Sequence, residues 1–472
     1  MNQNPCRRAK KILSLFSMLW QVAEKLSYVS LRAERSNLIH NRIKHFEIAA
    51  SLTLLAMTTR IEFLPKLLGQ PFLPSVLTIE ERGKRAMLYR KLGKTGCQVS
   101  ILGFGCMRLP IKDSNQSAAD RFDPNKFIDE QLAIQLIHHA KAQGVNYFDT
   151  AYPYHGGKSE PLLGKAVRNF RKEILIATKL PSWMAKGPDD FEKFLTEQLQ
   201  RLDTSYVDFY LLHGLGAQTW TKMKEMKALR FLDKILAEGR ARFAGFSFHD
   251  DVRLFKQIVD AYDWSICQIQ YNFLDRDYQA GREGLEYAAS KGLGMVIMEP
   301  LRGGRLAVDI PEKVQAIWDS APKKRSPAEW ALRWVWNHPE VSTALSGMNS
   351  MAQLQENLKI AGEGRANSLS AKDLSLIDRV TETYQKMLAI DCTACCYCLP
   401  CPKGVNIPHN FRLYNDLHMF KDQEINFLLY NRMTAPEQRA SNCAECGECE
   451  ERCPQHIKIM EELKKVHSTL LR

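Results

Sequence analysis

Nine cysteines are concentrated in two runs near the carboxyl end of the chain. The second run has the spacing C-x2-C-x2-C-x3-C-P, which is typical of a bacterial-type 4Fe-4S site, with candidate ligands Cys443, Cys446, Cys449 and Cys453. The first run is one residue shorter in its last gap, with candidate ligands Cys392, Cys395, Cys398 and Cys401. Three thiolates two residues apart can surround one face of an iron–sulfur cube, and the fourth often comes from the partner run. The runs therefore predict two 4Fe-4S clusters and single-electron chemistry.

Zinc and disulfide bonds are the alternatives for these cysteines. Four-cysteine zinc sites usually combine two C-x2-C pairs across a gap, whereas each run here holds four spaced cysteines and ends in Cys-Pro. A disulfide framework is typical of secreted chains, and the rest of this chain does not look secreted. Cys396 lies inside the first run but off its two-residue spacing, and we interpret it as a spare thiol or a group beside the cluster. Iron–sulfur clusters are the favoured interpretation.

Four further residues could carry out proton chemistry on a carbonyl group. Asp149 and Tyr154 follow one predicted strand, Lys179 follows the next, and His213 follows the one after that. The ammonium of Lys179 is expected to lower the pKa of the Tyr154 phenol, while Asp149 holds the lysine in place. Tyr154 could then protonate a carbonyl oxygen as hydride reaches the carbon, with His213 orienting the carbonyl. Each residue alone also fits a structural role, and only their succession at strand ends favours catalysis.

The scaffold predicted for these residues is an α/β fold, a (β/α)8 TIM barrel. From Met87 a short hairpin leads into eight apolar runs that alternate with amphipathic helical stretches such as 131–143, 190–201, 223–238 and 326–336. The predicted strands cover residues 101–107, 147–150, 174–178, 208–212, 243–248, 266–271, 295–298 and 343–345. In such a barrel the chemistry lies at the carboxyl ends of the strands. A doubly wound open sheet is disfavoured, because Gly103 and Gly105 form only G-x-G without a third glycine.

A small, mainly helical ferredoxin-like domain is predicted to follow the barrel. A last barrel helix starts at Ser370 with a capping box and ends just before Cys392. Between the cysteine runs, apolar residues recur at three- and four-residue steps, which is a helical period. The joined runs resemble the helical two-cluster ferredoxins. We therefore predict the barrel over residues 87–390 and the 4Fe-4S ferredoxin-type domain over 391–472.

The first 86 residues differ from the rest. They carry 14 Lys and Arg and 6 Asp and Glu, and so account for +8 of the net charge of +12. Because most of the positive charge belongs to this segment, the basic composition does not indicate nucleic-acid binding. Arg7 and Arg8 before an apolar run resemble an export signal, but no small-residue cleavage site follows. The apolar run 48–57 falls short of the ~20 residues that span a bilayer. We interpret residues 1–86 as an N-terminal extension. It is either disordered or not native, the second if the true start of the protein is Met87.

A chain that starts at Met87 is expected to fold, bind its clusters and melt within a few degrees of the full chain. The reason is that residues 1–86 lack a continuous apolar period with which to build a core. Thermal melts followed by circular dichroism, together with the iron content of both chains, check this. Insolubility or loss of iron in the shorter chain would instead make the segment a domain in its own right.

The middle of the chain resembles the aldo/keto reductase family. FDTAYPYHGGKSE at residues 148–160 is similar to the family signature, and ATKL at 177–180 and DFYLLH at 208–213 match its lysine and histidine segments. Further matches follow in order: LLG at 162–164, GFS at 245–247, QIQYN at 268–272, PL at 300–301, Gly347 and QLQENL at 353–358. The resemblance covers about residues 87–365, and with the cysteine runs it extends to the ferredoxin-fused branch of the superfamily. It implies Tyr154 as acid/base, Lys179 and Asp149 as groups that tune it, and His213 as the group that orients substrate.

The resemblance also implies a nicotinamide cofactor, NAD(P)H, at the barrel mouth. Ser247 and Gln268 match positions that hold the carboxamide, and the full implied set is Gly105, Cys106, Met107, Ser247, Gln268, Gly347, Gln353 and Asn357. This chain departs from the family in having Phe248 in place of a common asparagine and Met298 in place of a stacking aromatic residue. Gly347 and Gln353 replace the lysine and arginine that bind the NADPH 2′-phosphate in many members. A preference for NADPH is therefore unsupported.

The expected function is that of an iron–sulfur oxidoreductase acting on a small carbonyl or alcohol substrate. Its clusters would exchange electrons with a redox protein such as ferredoxin or flavodoxin. The alternative is an electron-transfer module whose barrel is vestigial or serves as a docking surface. No nucleic-acid or membrane partner is expected, and reduced thiols fit a cytoplasmic protein. The substrate depends on long loops, 110–129 and 302–324, whose conformation the sequence does not specify.

Overall fold

The computed structural model describes residues 86–112, 127–420 and 423–472, so the predicted extension 1–86 lies outside the described residues apart from Ala86. The described chain begins with the predicted hairpin. Its strands β1 (Tyr89–Lys91) and β2 (Gln98–Ser100) pair antiparallel. The hairpin turn contacts the start of a barrel strand, since the backbone N–H of Lys94 donates to the carbonyl of Gly292 at 2.8 Å. The hairpin therefore covers the amino-terminal end of the barrel.

Eight parallel strands form a closed barrel, in which each strand pairs with its neighbours in chain order and the last pairs with the first. The strands are β3 (Leu102–Gly105), β4 (Tyr147–Asp149), β5 (Leu175–Leu180), β6 (Val207–Leu215), β7 (Ala241–Phe248), β8 (Ile266–Gln270), β9 (Gly294–Met298) and β10 (Val341–Ser346). The predicted (β/α)8 TIM barrel is confirmed, and every predicted strand overlaps an observed one. Errors are confined to the strand ends.

Helices surround the strands. They are α1 (Glu130–Ala142), α2 (Ser159–Val167), α3 (Asp189–Arg201), α4 (Ala217–Glu225), α5 (Ala228–Ala237), α6 (Val252–Asp260), α7 (Gly281–Ser290), α8 (Glu312–Asp319), α9 (Pro327–Trp336), α10 (Met351–Ala361) and α11 (Ala371–Gln385). The predicted single helix over 223–238 is wrong: it is two helices, because Lys227 adopts a left-handed backbone with φ of 60° that ends the first. Ser370 and Asp373 form the predicted capping box. Within the described ranges, no helix is long and apolar enough to cross a membrane.

The barrel interior is a packed core. Alternate side chains of the strands point inward, among them Tyr147, Phe209, Leu211, Ile266 and Val296, and each is fully buried. Inward-pointing residues from alternate strands fill the interior of such a barrel in layers. Reactive side chains can therefore lie only at its ends.

A second hydrophobic core follows the barrel helices and includes residues from Ile390 to Leu470. Its helices are α12 (Ile407–Met419), α13 (Glu424–Leu428), α14 (Glu448–Glu451) and α15 (Ile459–Leu470). Ile407 and Phe411 of α12 are buried in this core together with Leu463 of α15. We call the part of the chain that builds this core, 390–472, the cysteine subdomain. Its connection to the barrel is tight, because Met419 at the end of α12 and the adjacent Phe420 pack into the barrel core instead.

Buried ion pairs join α12 to the carboxyl end of the barrel. Arg302 and Arg305, in the loop after β9, pair with Asp416 of α12 at 3.0 and 2.7 Å. In the opposite direction, Arg412 of α12 pairs at 3.2 Å with Asp275, in the loop after β8, and Asp275 also pairs with Arg302. Buried charges are stable only when they are paired in this way. The cysteine subdomain is thus anchored at the end of the barrel where chemistry is expected.

Candidate active site and cluster sites

The four predicted catalytic residues meet at the carboxyl end of the barrel. Asp149 is the last residue of β4, and Tyr154 follows β4 in a short 3-10 helix. Lys179 and His213 are near the ends of β5 and β6. The Nζ of Lys179 donates to Oδ1 of Asp149 at 2.5 Å and lies 3.4 Å from the Oη of Tyr154. The Tyr154 and His213 rings stand edge to face, with centroids 5.8 Å apart. One cation therefore contacts both a carboxylate and a phenol.

Burial governs the protonation of the phenol and the amine. The Lys179 side chain is fully buried, which disfavours its charge, but Asp149 and Tyr154 together outweigh this and raise the pKa of Lys179 above its ordinary value. Burial raises the pKa of Tyr154, and the opposing charge of Lys179 does not reverse this. The expectation that Lys179 gives Tyr154 a net lowered pKa is therefore wrong. The phenol stays protonated at neutral pH, which is the state required of a proton donor.

His213 is held as a neutral imidazole. Burial lowers its pKa well below 6.5, and the charges of Lys179 and His249 lower it further. Its ring lies 4.9 Å from the indole of Trp183, centroid to centroid. Its Nδ1 is buried and has no hydrogen-bond partner in the described part of the chain. A neutral ring of this kind can donate one hydrogen bond to a carbonyl oxygen without carrying a charge into the site.

Ser247 and Gln268 each have a polar group that is available to hydrogen-bond a carboxamide. The Oγ of Ser247, near the end of β7, accepts from the backbone N–H of Gly214 at 2.8 Å, which leaves its hydroxyl proton free to donate. The Nε2 of Gln268, on β8, donates to Oδ2 of Asp149 at 2.5 Å. Its Oε1 is buried and finds no partner among the described residues. One donor and one acceptor beside the tetrad match the two polar atoms of a nicotinamide carboxamide, so these residues fit that group.

The other predicted cofactor positions are less open. Gly105 ends β3, and Cys106 and Met107 follow in a 3-10 turn in which the Cys106 thiol is buried. The Oε1 of Gln353 accepts from the backbone N–H of Asn349 at 3.0 Å. The Nδ2 of Asn357 donates to the Oγ of Ser346 at 3.0 Å. One polar atom of each amide is thus engaged within the chain. Phe248 is buried and packs against Phe255 of the helix layer.

Arg108 lies beside Gly347 and is not among the site residues predicted from the sequence. A side chain at Gly347 would meet the Cβ of Arg108 at 2.8 Å, so only glycine fits beneath the arginine. Arg108 pairs at 2.8 Å with Glu299, which directly follows β9. Burial alone would raise the pKa of Glu299, but Arg108 and then Arg412 hold it below its ordinary value. Arg108, Glu299 and His249 all follow strand ends, so the rule that found the tetrad could have found them.

Comparison with known proteins places the barrel in a family. Residues 102–382 match the model described as the aldo/keto reductase family. The chain belongs to the aldo/keto reductase family.

Several known proteins are similar to this chain over most of their own length. An L-galactose dehydrogenase of Arabidopsis thaliana is 26% identical over 324 residues, 63% of this chain and 95% of that protein. A probable voltage-gated potassium channel subunit beta of the same plant is 26% identical over 321 residues, 58% of this chain and 90% of that protein. The solved structure of an aldo-keto reductase from Bacillus halodurans has a TM-score of 0.52 and 26% identity, covering 62% of this chain and 96% of that one.

Residues 391–457 match a second model, described as a 4Fe-4S dicluster domain. The structure has two cavities there, both partly open to solvent. The first cavity is lined by Cys392, Cys395, Cys396, Cys398 and Cys453. The second is lined by Cys398, Cys401, Cys443, Cys446 and Cys449. Each cavity thus includes thiols from both runs, as expected if the runs exchange their last ligands.

The cysteines surround these cavities and do not converge on a point. In the described ranges, no three His, Cys, Asp or Glu side chains stand close enough to hold a single metal ion, and no disulfide forms. A set of four thiols around an open space fits a four-iron cluster, in which each iron takes one thiolate. Burial and then the carboxylates of Asp251 and Asp250 raise the pKa of Cys396 to about 11. The first cavity is therefore near the loop after β7, close to the barrel mouth.

Proposed function

We propose that this chain is an iron–sulfur oxidoreductase that reduces a small carbonyl substrate, or oxidises the corresponding alcohol, at the barrel mouth. Membership of the family makes an oxidoreductase the expected class of enzyme. The observation that carries the proposal is the position of Lys179, which contacts both the Asp149 carboxylate and the Tyr154 phenol. Burying a lysine together with a carboxylate and a phenol costs free energy, and buried titratable groups in such contact are typical of catalytic sites.

Each residue of the tetrad has one role in this proposal. Tyr154 donates its proton to the carbonyl oxygen, and its raised pKa keeps that proton in place until a substrate arrives. Lys179, fixed by Asp149, stabilises the phenolate as it forms. The neutral His213 donates a hydrogen bond that orients the carbonyl. Bound NAD(P)H would supply the hydride.

Ser247 and Gln268 would hold the carboxamide of that cofactor, because the serine hydroxyl and the buried glutamine Oε1 are available. Gly105, Cys106 and Met107 would line the approach from β3. Toward the other end of the cofactor, Gly347 carries no charge and the Gln353 and Asn357 amides are bonded internally. These contacts support a dinucleotide cofactor that is bound mainly at its nicotinamide end, without a preference for the 2′-phosphate of NADPH. Fluorescence titration with NADH and NADPH tests it, and a strong preference for NADPH would contradict it.

The cysteine subdomain would hold two 4Fe-4S clusters that pass electrons to or from a redox protein such as ferredoxin or flavodoxin. The ligands in the first cavity would be Cys392, Cys395, Cys398 and Cys453. Those in the second would be Cys401, Cys443, Cys446 and Cys449. A reducing cytoplasm suits such thiolates.

Protein purified without oxygen is expected to contain about eight iron and eight sulfide per chain, because two cubes require four of each. Metal analysis and acid-labile sulfide measure this directly. Stoichiometric zinc without sulfide would contradict it and would make the runs zinc sites.

A second candidate is an electron-transfer module whose barrel is a docking surface. It is favoured by two observations: the internally bonded Gln353 and Asn357, and the similarity to a protein named as a potassium channel subunit. One measurement distinguishes the two candidates: the carbonyl-dependent oxidation of NADH or NADPH by the full chain. Turnover that disappears with the tetrad supports the enzyme, whereas its absence over a broad set of aldehydes and ketones supports the module.

A further inference from the structure

The two cysteine runs share a backbone conformation. Two residues after the first cysteine of each run, Ala394 and Glu445 both have φ of 55°. Four residues after it, Cys396 has φ of 64° and Gly447 has φ of 81°. The runs therefore fold alike up to their third cysteine, and Cys396 occupies the position that Gly447 occupies in the second run.

This position is one where a side chain is costly. A left-handed φ suits glycine, which has no Cβ, and is uncommon for other residues. The second run has glycine there, whereas the first run has cysteine in the same conformation. A strained non-glycine residue persists where it is held by its surroundings, and such residues cluster at functional sites. What the side chain at 396 adds is a fifth thiol on the wall of the first cavity.

The five thiols of that cavity fall into two groups. Cys392, Cys398 and Cys453 pack against the hydrophobic core of the cysteine subdomain. Cys395 is exposed, so the iron that it binds is the outer corner of the first cluster. Cys396 is next to it in the chain and half-buried, with its Sγ 3.3 Å from the carbonyl oxygen of Ala394. The spare thiol is therefore beside the most exposed ligand of the first cavity.

We propose that Cys396 is an alternative ligand to the outer iron of the first cluster and replaces Cys395 when that thiolate leaves the iron. The proposal rests on the cluster assignment in the proposed function. In the exchange, one iron–sulfur bond breaks and one forms. The Cys395 sulfur leaves the iron and takes up a proton, the Cys396 thiol releases one, and the oxidation state of the cluster does not change. The second cluster has no such reserve, because Gly447 stands at the equivalent position.

The sequence provides a matched control for this proposal. Cys446 is the exposed ligand of the second cavity, as Cys395 is of the first, and it is followed by Gly447 and not by a cysteine. The variants Cys395→Ala and Cys446→Ala therefore remove equivalent thiols from full-length protein, and alanine cannot bind iron through oxygen as serine can. Both are purified without oxygen, and iron is counted and EPR spectra are recorded before and after mild oxidation.

Cys395→Ala is expected to keep about eight iron per chain and to show no three-iron signal, since Cys396 completes the cube. Cys446→Ala is expected to fall to about seven iron and to show the signal of a three-iron cluster, as should the double variant Cys395→Ala/Cys396→Ala. Anaerobic alkylation followed by mass spectrometry gives an independent readout: Cys396 is modified in the parent chain and protected in Cys395→Ala.

Loss of iron from Cys395→Ala equal to that from Cys446→Ala, with Cys396 still open to alkylation, would overturn the proposal. A parent chain that lacks about eight iron would instead refute the cluster assignment itself, so the two failures are distinguishable. A circular-dichroism melt of each variant separates loss of iron from loss of the fold.

Discussion

A Tyr154→Phe variant is expected to reduce carbonyl substrates about 10²-fold or more slowly than the parent chain, because it keeps the ring and removes the proton that the reaction needs. The rest of the site should be undisturbed, since Lys179 keeps its contacts with Asp149 and with the carbonyl of Thr150. The measurement is steady-state oxidation of NADH or NADPH with a set of aldehydes and ketones. The loss should fall on kcat, because the phenol acts in the proton-transfer step.

Tyr152→Phe is the matched control, because Tyr152 is two residues away and its hydroxyl donates to Glu197 outside the tetrad. It should leave turnover close to that of the parent chain. The parent rate should also change little between pH 6.5 and 10.0, because the pKa of His213 is below this interval and that of Tyr154 is above it. Unaltered turnover in Tyr154→Phe would show that another group is the acid.

A Cys453→Ala variant is expected to damage the first cluster and to spare the second, so that about four to seven of the eight iron remain. Cys453 belongs to the second run by sequence but lines the first cavity with Cys392, Cys395 and Cys398. Cys396 is adjacent to Cys395 in the chain, at the outer corner of the cavity, and is therefore not expected to replace Cys453. Iron analysis and EPR of the reduced protein distinguish one remaining cluster from two.

The reciprocal variant Cys401→Ala makes this test symmetrical. Cys401 belongs to the first run but lines the second cavity with Cys443, Cys446 and Cys449. It should damage the second cluster and spare the first. If Cys453→Ala instead loses the cluster bound by Cys443, Cys446 and Cys449, each run closes on itself and the exchange of ligands is refuted.

The tetrad could be predicted because each of its members follows an apolar run, and a barrel brings the carboxyl ends of its strands together. Its electrostatics could not be predicted in full. The net pKa of Tyr154 depends on how deeply the phenol is buried, and burial is a property of packing between distant segments. The break at Lys227 was missed for a different reason: the residues on both sides of it favour a helix, and only the left-handed φ interrupts them.

The attachment of the cysteine subdomain left no signal in the sequence. Arg412 and its partner Asp275 are 137 residues apart, and neither belongs to a local pattern. Arg108 and Glu299 each follow a strand end, but they are 191 residues apart and their pairing beside Gly347 has no signal in the sequence. Periodicity reports on neighbours along a helix or strand, so it identifies elements well and pairs of distant charges poorly.

Phe411 lines the first cluster cavity, and the next residue, Arg412, pairs with Asp275 at the barrel mouth. The same helix therefore belongs to both halves of the molecule. Removing it would leave Asp275 and Arg302 buried with fewer partners, and breaking a buried pair typically costs about 3–5 kcal/mol. This is a large share of the ~5–15 kcal/mol by which a domain is stable. We therefore expect the barrel and the cysteine subdomain to melt as a single cooperative unit, and loss of iron from the cysteine subdomain to destabilise the barrel as well.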